Sequence, residues 1–69
     1  MRLSARNVIK CRVKQVKAGV VNSEVILEMP DGGEIVSIIT KESADKLGLA
    51  QGKEAYAVVK ASSVMIAID

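Results

Sequence analysis

A chain of 69 residues is long enough for one small domain but too short to bury a large core. Small domains usually gain stability from disulfides, a structural metal or oligomerisation. One cysteine and no histidine exclude an internal disulfide and a Cys/His zinc site. Hydrophobic residues make up 49% of the chain, more than a small barrel can enclose, so composition predicts a homo-oligomer. A monomer with scattered exposed valines is the alternative.

The net charge of +2 is unevenly distributed. Residues 1–17 carry +6, whereas residues 18–69 carry −4. A basic segment attracts anions, but Lys10, Arg12 and Lys14 alternate with apolar residues, as on the solvent face of a strand. No stretch approaches the roughly 18 apolar residues of a membrane span, and the N-terminus lacks the apolar segment of a secretory signal. With a lone cysteine, these features favour a cytoplasmic protein without a membrane partner.

The first half of the chain reads as three strands. We predict strand one at about Asn7 to Val16, strand two at about Asn22 to Met29 and strand three at about Glu34 to Ile39. A turn at Ala18 and Gly19 joins the first two strands, and Pro30 to Gly33 forms a hairpin loop. The β-branched residues of strand three predict burial on both of its faces.

The second half adds one helix and two strands. The sequence predicts Thr40 as the N-cap and Gly48 as the end of a two-turn helix, with Ala44 and Leu47 facing inward. Strand four is predicted at about Glu54 to Lys60, and strand five at about Val64 to Ile68 after a tight turn. The chain is therefore predicted to be a single all-β domain, residues 1–69. Its fold is a five-stranded OB-fold-like barrel with one short helix between strands three and four.

Composition argues against an enzyme. Histidine, the commonest general acid or base, is absent, so Cys11 also has no histidine to activate it. The glycine-rich nucleotide signatures are missing. Tyr56 is the only aromatic residue, whereas single-strand nucleic-acid binders use several aromatic platforms. An OB-fold-like nucleic-acid or protein-interaction module therefore rests on fold analogy and stays as the alternative function.

Hydrogen-bond donors recur near the predicted strand ends. They are Ser4-Ala5-Arg6 before strand one, Thr40 after strand three, and Lys60-Ala61-Ser62 after strand four. Hydroxyls, backbone N–H groups and cations are the donors that a tetrahedral dianion requires. Taken singly, each segment has a simpler interpretation: a chain terminus, a helix cap and a solvated lysine.

Several segments together resemble the molbindin family across essentially the whole chain. They are Ser4-Ala5-Arg6-Asn7, Ser37-Ile38-Ile39-Thr40, Leu47-Gly48-Leu49 with Gly52, and Val59-Lys60-Ala61-Ser62-Ser63-Val64-Met65-Ile66. The same module forms the molybdate-binding region of molybdate-responsive regulators. The resemblance implies a hexamer built as a trimer of dimers, which binds molybdate or tungstate between subunits for intracellular storage or homeostasis. It implies no organic cofactor and no nucleic-acid partner.

The resemblance also implies roles for single residues. The hydroxyls of Ser4 and Thr40 would donate to the oxyanion, and Lys60 would supply the cation. Backbone N–H groups would come from Ala5, Arg6 and Ala61, with Ser62 assisting. A second oxyanion site on threefold axes would be lined by Gly19, Val20 and Val21. No residue would ligate the metal directly, because the metal arrives already coordinated by oxygen.

Overall fold

The computed structural model describes residues 4–69. They form four strands, one helix and one 3-10 turn, in the order β1 (Asn7–Ala18), β2 (Asn22–Glu28), β3 (Glu34–Thr40), α1 (Lys41–Leu47), β4 (Glu54–Val59) and η1 (Ala61–Ser63). All strand pairs are antiparallel, and the sheet order is β3-β2-β1-β4. The predicted all-β class and the helix between strands three and four are confirmed.

The long strand β1 pairs with two other strands, one along each half of its length. Its first half, Asn7 to Arg12, pairs with β4, and its second half, Arg12 to Ala18, pairs with β2. The register shifts between Val13 and Gln15, and an extra residue of this kind bends a strand and increases its twist. The sheet therefore curls into a half-barrel, and its two edge strands, β3 and β4, do not pair with each other.

The core lies on the concave face of this sheet. Alternate residues of β1 and β2 point into it, as the period of two predicts. The buried apolar cluster consists of Cys11, Val13, Val25, Leu27 and Ala57. Cys11 is among them, as expected for a structural thiol.

The prediction of five strands is wrong for this chain. Residues 64–69 form no strand, because no strand of the described sheet pairs with them. The prediction that strand three is buried on both faces is also wrong. Val36 and Ile38 are exposed, since β3 is an edge strand whose outer face nothing covers.

The helix α1 begins and ends as the sequence predicts. The Thr40 hydroxyl accepts from the Ser43 N–H, and Gly48 adopts the left-handed conformation at φ 62°. Ala44 is buried, but the prediction that Leu47 faces inward is wrong, because its side chain is 61% exposed. Leu49, just after the helix, packs against the core instead. No helix among residues 4–69 is long and apolar enough to cross a membrane.

Strand direction defines two ends of the sheet. In this antiparallel order, β1 and β3 run one way and β2 and β4 run the other. The start of β1 and the end of β4 therefore meet at one end, which we call the terminal end (residues 4–6 and 60–62). The β1–β2 turn and the end of β3 meet at the other, which we call the turn end (residues 19–21 and 40–43).

Candidate functional site

The terminal end gathers six of the residues that the sequence singles out. Asn7 pairs with Val59, so the segment before Asn7 and the segment after Val59 leave the sheet side by side. Arg6 and Ala61 line one groove of about 580 Å³. Two segments separated by more than fifty residues in sequence thus form one surface, which carries Ser4, Ala5, Arg6, Lys60, Ala61 and Ser62.

The terminal end has backbone N–H groups and cationic side chains that are not paired with other described residues. The Ser63 N–H donates to the Lys60 carbonyl at 2.8 Å and closes the turn η1. Within residues 4–69, the N–H groups of Ala61 and Ser62 donate to no backbone carbonyl, as the first groups of a helical turn do. Lys60 and Arg6 are exposed, and neither forms an ion pair with another residue in the described part of the chain. This surface therefore combines two cations with backbone donors that have no backbone partner.

The turn end carries neutral donors instead. The Thr40 hydroxyl accepts from the Ser43 N–H at 3.0 Å and donates to the Ser43 hydroxyl at 2.8 Å. The Lys41 N–H donates to the Val21 carbonyl at 2.8 Å and ties the start of α1 to the β1–β2 turn. Thr40 is thus a helix cap, and its hydroxyl forms a pair with that of Ser43.

The β1–β2 turn is sterically tight. The Gly19 N–H donates to the Asn22 carbonyl at 2.8 Å, and a Cβ on Gly19 would lie 2.5 Å from that oxygen. Val20 and Val21 form the exposed tip of the turn. Their N–H groups donate to no backbone carbonyl between residues 4 and 69. The three residues predicted for a second oxyanion site therefore form a compact turn with outward-facing apolar side chains.

One chain does not bring all the predicted site residues together. Thr40 lies at the turn end, beside Gly19 to Val21, whereas the other six residues of the first predicted site lie at the terminal end. Ser43 was not among the predicted site residues, because the side chains that mark the third position after an N-cap are Glu and Gln rather than Ser.

The basic face of β1, which consists of Lys10, Arg12 and Lys14, lies outside both ends of the sheet. Lys10 pairs with Glu54 at 3.4 Å, and Lys14 forms an ion pair with Glu34. The hydrogen bond and the charge of Glu34 raise the pKa of Lys14 above its ordinary value. Acidic residues of β4 and β3 thus pair with two lysines of β1. Residues 4–69 contain no cluster of three His, Cys, Asp or Glu side chains suited to a metal ion.

Comparison with known proteins identifies the family. The model of the TOBE domain matches residues 3–66. Molybdenum-pterin-binding protein 2 of Clostridium pasteurianum is 48% identical over 66 residues, which cover 96% of this chain and 97% of that protein. Molybdenum-pterin-binding protein MopA of Rhodobacter capsulatus is also 48% identical, over 67 residues and 97% of this chain. The chain spans only 25% of the length of MopA.

Solved structures of molybdenum- and molybdate-binding proteins superimpose closely on this chain. MopII from Clostridium pasteurianum superimposes with a TM-score of 0.92 at 46% identity, covering 97% of this chain and all of that one. The cytoplasmic molybdate-binding protein ModG, with molybdate bound, gives a TM-score of 0.90 at 49% identity, covering 94% of this chain and 46% of that one. The resemblance found in the sequence is confirmed, and the chain belongs to the TOBE-domain family of molybdenum-pterin-binding proteins.

Proposed function

We propose that this chain binds molybdate or tungstate at the junction between two copies of itself. The observation that carries the proposal is the split of donors between the two ends. Arg6 and Lys60, with the backbone N–H groups beside them, lie at the terminal end, whereas Thr40 lies at the turn end of the same chain. A site that uses both sets requires the terminal end of one copy and the turn end of another.

The donor chemistry suits a fully deprotonated tetrahedral oxyanion. All four oxygens of such a dianion accept hydrogen bonds, and cations and N–H groups only donate. Phosphate is partly protonated near neutral pH, and its O–H would be unpaired wherever it faces the cations and N–H groups, which cannot accept a hydrogen bond. Leaving one buried polar group unpaired costs about 1–3 kcal/mol, or about one to two decades in affinity. The site is therefore expected to prefer molybdate or tungstate to phosphate.

The relatives support this reading. Their names describe molybdenum-pterin-binding proteins, and ModG is described as a cytoplasmic molybdate-binding protein. We extend the proposal to intracellular molybdenum storage or homeostasis in the cytoplasm, by a hexamer without an organic cofactor or enzymatic activity. The turn of Gly19, Val20 and Val21 is the proposed second oxyanion site, since the N–H groups of Val20 and Val21 donate to no backbone carbonyl of residues 4–69.

Titration calorimetry with molybdate, tungstate, sulfate and phosphate tests the proposal. Molybdate or tungstate should bind at micromolar protein, and phosphate should bind at least tenfold more weakly. The Lys60→Ala variant should lose about tenfold or more in molybdate affinity, since a hydrogen bond to a charged group contributes about 1.5–3 kcal/mol. Lys10→Ala is the matched control, because Lys10 is exposed and lies on the outer face of β1.

Three results would contradict the proposal. The first is the absence of molybdate and tungstate binding by the parent chain. The second is equal weakening by Lys60→Ala and Lys10→Ala, which would indicate a general effect of net charge rather than a site. Sedimentation in the presence of molybdate adds a third measurement, since a monomer that binds molybdate would exclude a site between copies.

A further inference from the structure

The lysines of the chain differ in whether their ammonium groups already have a partner. Four of the seven lysines form an ion pair or a side-chain hydrogen bond: Lys10, Lys14, Lys46 and Lys53. Within residues 4–69, the ammonium groups of Lys17, Lys41 and Lys60 form neither. Lys60 lies at the terminal end, so Lys17 and Lys41 are the lysines near the turn end that lack a partner in the described chain.

Lys41 lies directly beside the β1–β2 turn. Its backbone N–H donates to the Val21 carbonyl at 2.8 Å. Val20 and Val21 are the residues of this turn whose own N–H groups donate to no backbone carbonyl of residues 4–69. The side chain of Lys41 is exposed. In addition to the neutral hydroxyl pair of Thr40 and Ser43, the turn end therefore carries two successive N–H donors next to a lysine.

The acidic residues that follow Lys41 along the helix do not pair with it. Glu42 forms its ion pair with Lys46, at 3.2 Å. Asp45 lies four residues after Lys41, but the two side chains form no ion pair. Because no carboxylate in the described part of the chain holds the Lys41 ammonium group, its charge is available to an anion.

Lys17 is the alternative cation, but an acidic residue faces it. Lys17 lies opposite Glu24 in the ladder between β1 and β2, and opposite charges at facing positions of a ladder attract each other. Lys41 is instead joined to the turn by its hydrogen bond to Val21. Of the two lysines, Lys41 is therefore the better placed to act together with the N–H groups of the turn.

A dianion requires charged as well as neutral donors. A hydrogen bond from a cation is roughly twice as strong as one between neutral groups. We propose that the Lys41 ammonium group is the cation of the second oxyanion site, which it forms with the N–H groups of Val20 and Val21. This inference rests on the proposed function, because it assigns a charged donor to the second site named there. Each of the two sites then has its own lysine, Lys60 in the first and Lys41 in the second.

Titration of the ¹⁵N-labelled full chain with molybdate, followed by NMR, tests the proposal. The amide signals of Val20 and Val21 report on the turn end, and those of Ala61 and Ser62 report on the terminal end. In Lys41→Gln, the molybdate concentration at half-maximal shift should rise about tenfold or more for Val20 and Val21. It should stay unchanged for Ala61 and Ser62. Lys41→Arg keeps the charge and should retain most of the affinity.

Lys17→Gln is the matched control, because it removes another exposed cation near the same turn. It should leave the half-maximal concentrations of both ends unchanged. The Lys41→Gln chain keeps the backbone N–H that donates to Val21, so its thermal melt without molybdate should match that of the parent.

The possible results separate this inference from the proposed function. An unchanged half-maximal concentration for Val20 and Val21 in Lys41→Gln would overturn the inference. An equal rise at the terminal end, or an equal rise in Lys17→Gln, would also overturn it, since either indicates a general effect of net charge. Shifts confined to the terminal end of the parent would remove the second site and leave the first. If molybdate shifts no amide signal of the parent, the proposed function fails together with this inference.

Discussion

The two ends of the sheet differ in whether their hydrogen-bond donors already have partners within the described chain. At the terminal end, Arg6 and Lys60 form no ion pair with residues 4–69, and nearby backbone N–H groups have no backbone partner. At the turn end, the Thr40 hydroxyl is fixed by hydrogen bonds to Ser43. One end supplies charge and the other supplies a neutral hydroxyl pair, in which the Thr40 O–H is donated to Ser43 and the Ser43 O–H is the donor that remains. The oxyanion site that we propose draws on both ends.

Hydrogen bonds at both ends of the helix α1 connect it to other segments of the chain. The Lys53 ammonium donates to the carbonyls of Leu47 and Gly48, both at 3.1 Å, where the helix ends. The Lys41 N–H donates to the Val21 carbonyl where the helix begins. Changes at the turn end should therefore affect stability, whereas changes at the terminal end should affect ligand binding alone. Four predictions test this contrast.

The largest effect is expected at the terminal end. Arg6→Ala combined with Lys60→Ala removes both cations of that surface. Each charge-assisted hydrogen bond contributes about 1.5–3 kcal/mol, so molybdate affinity should fall by about 100-fold or more. Calorimetry measures the affinity, and a thermal melt without ligand should be unchanged, because both side chains are exposed. Parent-like affinity would remove the terminal end from the site.

The next effect is expected in the β1–β2 turn. Gly19→Ala places a Cβ against the Asn22 carbonyl, and such overpacking costs about 1–3 kcal/mol of the free energy of unfolding. Urea denaturation measures the loss. Gly32→Ala is the comparison, because a Cβ there meets no atom within 4 Å and only the φ of 92° is unfavourable. A smaller loss for Gly19→Ala than for Gly32→Ala would contradict the tight turn.

A smaller loss of stability is expected at the helix cap. Thr40→Ala removes the side-chain acceptor of the Ser43 N–H and should cost about 1 kcal/mol of the free energy of unfolding. Thr40→Ser keeps the hydroxyl and should retain most of the stability. Both variants are measured by urea denaturation and then by molybdate titration. If Thr40→Ala weakens molybdate binding but Thr40→Ser does not, the hydroxyl contributes to both cap and site.

The smallest effect is expected away from both ends. Glu34 raises the pKa of Lys14 above its ordinary value of 10.5. The ion pair therefore contributes its full stability below pH 10.5, and that contribution is lost as pH rises through the raised pKa. Thermal melts of Lys14→Gln and the parent should differ slightly at pH 7 and converge at high pH. Molybdate affinity should be unchanged, and a weakened affinity would extend the site to the basic face of β1.

Much of the fold was predictable because its signals are local. Alternation of apolar residues identified the buried face of β1 and β2. The cap at Thr40 and the left-handed Gly48 depend on side chains and φ preferences within a few residues. The predicted burial of Val36, Ile38 and Leu47 failed, because burial depends on what covers a residue from elsewhere in the chain or from another copy.

The sequence by itself determined four of the five predicted strands, the turns between them and the helix cap, since these depend on near neighbours. It also determined the family, through motifs at the start and the end of the chain. Only the tertiary structure decided that residues 4–6 meet residues 60–62 while Thr40 lies at the opposite end. That result depends on strand order and direction, which no local pattern encodes. The structure likewise decided that residues 64–69 form no strand, because a strand requires an adjacent edge to pair with.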